Sequence, residues 1–240
     1  MTHPPPRRPD LIRLVSYNIH KCVGLDRRRD PHRIVDVLRD LDADIVALQE
    51  ADLRLGARRA ALPRDVVTDA IGMTPAPVAI NAVSLGWHGN AVLLGQGWTM
   101  TDLIRLPLPG LEPRGALILD LAGPSGPLRI ATTHLGLRRR DRQRQMITLM
   151  AELAHLPERP TALLGDLNEW APATGFAPLE PFFALHNPGR TYPSRRPMAA
   201  LDRVGLGPGL RLDGVGVTRA GLAGRASDHL PIWADVARDG

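Results

Sequence analysis

Cysteine is almost absent from this chain: Cys22 is the only one in 240 residues. A single cysteine excludes an intramolecular disulfide and a cysteine-built zinc site. Aromatic residues make up only 4%. Proteins that bind extended single strands of nucleic acid stack bases on aromatic rings, so this scarcity disfavours that mode. No apolar run approaches the roughly 20 residues of a membrane-spanning helix. The opening Met1-Thr-His-Pro-Pro-Pro-Arg-Arg-Pro9 has no apolar core of the kind that marks a secretion signal. The expectation is a soluble cytoplasmic protein in which residues 1–10 form a flexible tail.

What is plentiful is glycine and proline, 23 of each, in a chain that is 44% apolar. That combination suits many short strands joined by tight loops. A chain of this length can bury one substantial core, so one domain over residues 11–240 is expected. The net charge is +5 and the isoelectric point near 10.5. A positive field favours anionic substrates such as phosphate esters, nucleic acid or anionic lipid headgroups.

Hydrophobic periodicity predicts strands at 11–18, 44–49, 90–94, 116–121, 128–132, 162–164, 201–205, 210–217 and 231–236. Gly123-Pro-Ser-Gly126 joins two of them as a hairpin. A helix is predicted over Pro31 to Leu41, with Pro at its start and Ile34, Val35, Leu38 and Leu41 on one face. A second is predicted from Gln145 to Leu156, and 171–185 reads as helix and loop. A short helix with loops is expected in 51–86.

The strand ends carry the chemistry. Thr161-Ala-Leu-Leu-Gly-Asp166-Leu-Asn168 runs from a buried strand into a carboxylate and a carboxamide. Residues i and i+2 of an extended chain point the same way, so the two side chains face one pocket if the strand continues. The alternative is that Asp and Asn form the turn after it. Other strands stop in the same manner: at Asn18 and His20, at Glu50, at His134, at Asp202, and beside Asp228-His229. One polar residue after a strand is ordinary, whereas a polar end on nearly every strand points to a shared functional rim.

The ordered set SYNIH, IVALQE, HGNAVLL, PRGALILDL, TTHLGL, LLGDLNEW, LDRV and SDHLPI resembles the endonuclease/exonuclease/phosphatase superfamily, over about Leu11 to Trp233. The resemblance implies an α/β fold of four layers, two packed mixed sheets flanked by helices as in DNase I-like proteins. It also implies metal-dependent hydrolysis of a phosphoester. On that reading Glu50 is the principal ligand of Mg²⁺ or Mn²⁺, with Asn18 and Asp228 beside it. Hard oxygen donors suit Mg²⁺, which keeps several waters. Asp166 resembles the residue that orients or deprotonates the attacking water, and Asn168 the one that holds a phosphate oxygen. His229 contacts the phosphate or acts as base, with Asp202 fixing its tautomer. His134 donates to a non-bridging oxygen. Arg114 either binds phosphate or pairs with Glu112. Asn90 either points into the site or caps a turn after His88-Gly89. Tyr17, Thr133 and Trp170 are expected to pack around the rim, and Cys22 matches no motif of the family.

His20 stands where abasic-site endonucleases of the superfamily carry an aspartate. A histidine can touch phosphate or metal but is not a second hard carboxylate, so specificity for DNA repair is not implied. The substrate stays open between nucleic acid, a lipid headgroup and a soluble phosphoester. A nuclease-like phosphodiesterase is the first expectation. A lipid-headgroup phosphodiesterase or phosphatase at a membrane surface and a non-catalytic phosphate-binding protein are the alternatives. A monomer without a stable protein partner is expected. Arg27-Arg-Arg29 and Arg138-Arg-Arg-Asp-Arg142-Gln-Arg144 serve either substrate attraction or a solvated surface.

Overall fold

The computed structural model describes residues 3–239. Its strands form two mixed sheets of six. The first sheet holds β1 (Ile12–Asn18), β2 (Ile45–Gln49), β3 (Thr74–Pro75), β4 (Ala91–Leu94), β11 (Leu210–Val217) and β12 (Ile232–Arg238), in the order β11-β12-β1-β2-β4-β3. The second holds β5 (Thr99–Leu108), β6 (Arg114–Ala122), β7 (Leu128–His134), β8 (Thr161–Asp166), β9 (Ala184–His186) and β10 (Asp202–Leu206), in the order β5-β6-β7-β8-β10-β9. Within each sheet one central pair is parallel, β1 with β2 and β7 with β8.

The central strands are buried on both faces, which is why they read as continuous apolar runs. Alternate residues of each strand go to different layers. Leu14, Ile45, Leu117, Leu119, Ile130, Leu164 and Val204 meet between the sheets. Val15, Tyr17, Val46 and Leu48 face outward and pack against Ile34, Val35, Leu38 and Leu41 of helix α1 (Pro31–Leu41). On the other side Ile118, Ala131 and Leu163 pack against Met146, Leu149 and Leu153 of the later helix Arg139–Ala154. This is the expected four-layer architecture. Helix α1 begins as its sequence predicts: Pro31 opens it, and the Asp30 carboxylate accepts the His32 backbone N–H at 3.0 Å.

Three segments differ from expectation. Strand β5 has no counterpart in the sequence reading, because its mostly half-exposed residues alternate too weakly. It is an edge strand, paired only with β6. Between β2 and β4 lies helix α2 (Arg64–Ile71), as anticipated. The second long helix, α3, starts at Arg139, inside the arginine cluster. Residues 171–185 give only the single turn α4 (Pro172–Gly175), further turns and the start of β9. A last short turn, α5 (Ala223–Ala226), precedes β12.

One ion pair is fixed by strand register. Arg13 and Asp235 sit opposite each other on β1 and β12. The guanidinium Nε donates to Oδ1 at 2.7 Å and Nη2 donates to Oδ2 at 2.8 Å, in nearly complete burial. Removing one partner leaves an uncompensated buried charge. Asp235→Ala is expected to lower unfolding free energy by about 3–5 kcal/mol, measured by urea denaturation. A loss under about 1 kcal/mol would mean that Arg13 finds water in the variant.

Candidate active site at the shared end of the two sheets

Strand order brings the polar strand ends together. In the second sheet His134 on β7 is in register with Asp166 on β8, and Asp166 is in register with Asp202 on β10. One ladder row thus carries three of the expected catalytic groups on neighbouring strands. In the first sheet Asn18 ends β1, Glu50 follows β2, and Asp228 and His229 precede β12, which runs antiparallel to β1. All of these lie at one end of the sandwich. The crevice outside strand ends is the usual place for a site in such folds.

Gly165 makes the row possible. A Cβ at this position would collide with the Thr133 carbonyl oxygen, so only glycine lets β8 approach β7 closely at the site.

The Asp166 carboxylate is the hub. Its Oδ2 accepts the Asn18 amide N–H at 3.0 Å, a bond that crosses from one sheet to the other. The same oxygen lies 3.4 Å from His134 Nε2 and 3.5 Å from His229 Nε2. Its Oδ1 accepts the backbone N–H of Asn168 at 3.0 Å. This last bond shows that the chain turns after β8, and Asn168 sits at a left-handed φ of 51°. Both sequence alternatives hold here. The Asp–Asn pair makes the turn, and both side chains still line the same cavity.

His229 Nδ1 is 2.9 Å from Asp202 Oδ2, the pairing expected from sequence. Asp202 Oδ2 also accepts the Thr191 hydroxyl at 2.5 Å, while Oδ1 is buried without a hydrogen-bond partner. Burial alone would lower the pKa of His229. Asp202 and Asp166, with a smaller contribution from Asp228, outweigh it and hold the imidazolium up at about 10. His134 goes the other way. Burial pushes it down to about 3 against the pull of Asp166, and Arg114 and His229 add to the push. At neutral pH the rim therefore pairs one charged and one neutral imidazole around a single carboxylate.

Glu50 stands at a left-handed φ of 54° just beyond β2. Such backbone is uncommon for a non-glycine residue and clusters at functional sites. Its carboxylate contacts the Lys21 ammonium, with Arg54 at 3.8 Å. Burial would raise its pKa, but Lys21, and then His20 and Arg54, reverse this and keep it ionised. Glu50, Asn18 and Asp228 line one cavity of about 220 Å³ together with Asp166, Asn168, His134, His229 and Arg114. A second cavity of about 270 Å³ adjoins it and shares Glu50, Arg54, Arg114 and His134.

Glu50, Asp228 and Asn18 bring donor types that suit a divalent metal to one cavity, and Glu50 is paired there with Lys21. Two carboxylates and an amide oxygen around one cavity are the hard, sparse set that Mg²⁺ or Mn²⁺ takes. Asp166, Asp202 and His229 also bring ligand atoms within 4.8 Å of one another. An imidazolium has no lone pair to offer, so this trio can hold a metal only with His229 deprotonated.

Some expected residues have different partners from those foreseen. Asn18 gives its amide N–H to Asp166 and accepts the His20 backbone N–H at 3.1 Å, so it positions the hub as well as facing the cavity. Asn168 donates to the Leu135 carbonyl at 2.9 Å, which ties the His134 loop to β8. Asn90 donates to the Gly115 carbonyl at 3.0 Å and is not among the cavity-lining residues. His20 places Nδ1 3.1 Å from the Val23 carbonyl and 3.8 Å from Asp228. Arg114 both lines the cavities and forks onto Glu112 at 2.6 and 3.1 Å. Tyr17 and Thr133 are buried, as expected of packing residues, whereas Trp170 is exposed. Within the arginine cluster Arg142 is buried against Glu169 at 3.0 and 3.1 Å, so it braces the loop rather than facing solvent. Cys22 is buried and its thiol is pushed up to about 12, chiefly by desolvation, which leaves no thiolate nucleophile.

Lys21, Thr191 and Ser227 join the site without having been assigned roles from sequence. Ser227 donates to the Asn18 carbonyl at 2.7 Å and its Oγ accepts the His229 N–H at 3.2 Å. Lys21 and Ser227 adjoin recognised motifs, which was the available signal. Thr191 lies eleven residues before Asp202 in a loop with no motif, and only the folded chain brings it there.

The Escherichia coli (strain K12) uncharacterized protein YbhP is 29% identical over 214 residues, covering 80% of this chain and 83% of YbhP. An endonuclease/exonuclease/phosphatase structure from Beutenbergia cavernae superposes with a TM-score of 0.71 at 21% identity, covering 96% of this chain and 72% of that one. Danio rerio TDP2, in complex with a single-stranded DNA product, gives 0.72 at 15% identity over 94% and 98%. At such identities the structural likenesses carry the fold alone. The profile of the Endonuclease/Exonuclease/phosphatase family matches residues 15–229, from β1 to His229. With that match and the strand-end site it spans, the chain belongs to the endonuclease/exonuclease/phosphatase family.

Proposed function

We propose that this protein is a Mg²⁺- or Mn²⁺-dependent phosphodiesterase that hydrolyses its substrate by direct attack of water. The observation that carries the reading is the row Asp202–His229–Asp166–His134, closed across the two sheets by Asn18. The family includes hydrolases of phosphoester bonds, and the intact row argues for chemistry over phosphate binding alone.

Each side chain has a task in that reading. Asp166, held on both oxygens, orients the attacking water and takes its proton. The water oxygen bonds to phosphorus, and the ester oxygen leaves with the bonding pair. His229 is kept cationic by Asp202 and faces the charge that builds on the phosphoryl oxygens. His134, neutral, donates to the same oxygens. Arg114 adds fixed positive charge at the wall shared by the two cavities. Glu50, Asp228 and Asn18 would hold the metal, which polarises the phosphoryl group when bound. A cytoplasmic location belongs to the same reading. Among the described residues no helix is long and apolar enough to cross a membrane.

Glu50→Gln tests the metal assignment, since it keeps the shape and removes the charge. With bis(p-nitrophenyl) phosphate as substrate, the Mg²⁺ or Mn²⁺ concentration for half-maximal rate is expected to rise by about tenfold or more, in line with losing a charged ligand. Isothermal titration with Mn²⁺ should show the same loss of affinity. Full activity of Glu50→Gln at low metal concentration would remove Glu50 from the ligand set.

A further inference from the structure

The loops around the cavity expose apolar side chains that a water-soluble substrate does not require. Among the described residues nine large hydrophobic side chains are exposed. Five of these stand on rim loops: Leu55 at 88%, Leu111 at 71%, Leu137 at 68%, Met198 at 63% and Trp170 at 62%. Leu55 lines one cavity, and Leu137 and Trp170 line the other. Leu111 precedes the cavity residue Glu112, and the Met198 backbone N–H donates to the carbonyl of cavity residue Tyr192. These loops follow β2, β5, β7, β8 and β9, so the apolar tips come from five separate places in the chain and share only the mouth of the site.

Arginine accompanies them. Exposed Arg54 adjoins Leu55, exposed Arg138 to Arg140 follow Leu137, and exposed Arg195 and Arg196 precede Met198. Rim acid Glu112 is already paired, with Arg114. Apolar tips set among exposed guanidinium groups match a bilayer surface: the tips enter the acyl boundary and the cations meet anionic headgroups. Trp170 is suited to the headgroup level. A nucleic-acid backbone would satisfy the arginines but leave the leucines and methionine without a counterpart.

We propose that the mouth of the active site docks on an anionic phospholipid bilayer and that the scissile phosphodiester belongs to a membrane phospholipid. The substrate half of this statement rests on the phosphodiesterase reading above. The docking half does not. In the reaction water adds to phosphorus, one P–O ester bond breaks, and the products are an alcohol and a phosphomonoester.

The test uses the full chain with phosphatidylcholine vesicles, with and without phosphatidylserine. Co-sedimentation is expected only when phosphatidylserine is present. Leu111→Ser combined with Met198→Ser should weaken partitioning by about tenfold or more, since two inserted side chains are lost. Both sites are exposed, so turnover of bis(p-nitrophenyl) phosphate should stay unchanged in that variant. Arg138→Gln, Arg139→Gln and Arg140→Gln together should flatten the dependence on phosphatidylserine. Failure of the native protein to bind the anionic vesicles, or binding indifferent to the Leu111 and Met198 changes, overturns the docking. Retention on duplex DNA that depends on the three arginines, without vesicle binding, assigns the rim to nucleic acid and overturns it too. Vesicle binding without hydrolysis of either vesicle lipid or bis(p-nitrophenyl) phosphate overturns the phosphodiesterase reading and supports docking. Hydrolysis of the soluble diester but of no vesicle phospholipid overturns the substrate assignment alone.

Discussion

Asp166→Asn is expected to lower kcat on bis(p-nitrophenyl) phosphate by about 10²–10⁴-fold, the range of a positioned general base. Asparagine preserves the size of the side chain but has one acceptor oxygen, so it keeps the bond from Asn18 or the bond from the Asn168 backbone, not both. What it loses is the charge and the capacity to take a proton from water. KM should change far less than kcat, because the loss falls in the transition state. The variant also withdraws one of the two main charges that hold His229 cationic, so the pKa of His229 should fall from about 10. Imidazole NMR reads this independently of turnover. A variant that keeps more than about a tenth of the native kcat would show that Asp166 is not the base.

The second large effect concerns Asp202 and His229. Each single change, Asp202→Asn or His229→Ala, is expected to cost about 10²–10³-fold in kcat. The double variant should be little worse than the poorer single one, because residues that act as a unit do not lose activity additively. The 2.9 Å contact and the register of Asp202 beside Asp166 are the grounds for treating them so. Multiplying losses in the double variant would mean that the two act separately. The pair also gives a stability signature. A folded pKa raised from 6.5 to about 10 contributes stability that is complete below the unfolded value and disappears as pH rises through the folded one. Native protein should therefore lose this stabilisation between about pH 6.5 and 10, and Asp202→Asn should lose less over that window. Melting temperatures across that range measure it.

The apolar runs of β1, β2, β4, β7 and β8 were legible because each is buried on both faces and all but β4 end at a polar group. Helix α1 was legible from Pro31 and its apolar stripe. Strand β5 was not, since an edge strand with one wet face leaves only a weak pattern in its residues. The helical reading of 171–185 did not allow for the turns and edge strand that tertiary packing imposes there. In the site, Glu50, His134, Asp166, Asp202 and His229 could be chosen because strand ends repeat a recognisable local chemistry. Thr191 on Asp202 could not, and neither could the burial of Arg142 on Glu169.

The sequence by itself determined the buried central strands, which polar residues end them, and that those polar ends resemble one family of sites. Local patterns suffice for this, because burial and turn chemistry act over a few neighbouring residues. Only the tertiary structure decided that β7, β8 and β10 lie side by side in register, and that Asn18 reaches Asp166 across the sheets. It also decided that burial pushes His134 down where neighbouring carboxylates hold His229 up, and that Leu55, Leu111 and Leu137 stand exposed around one mouth. Those properties depend on distances between residues far apart in the chain, and on the desolvation and fields that such distances create.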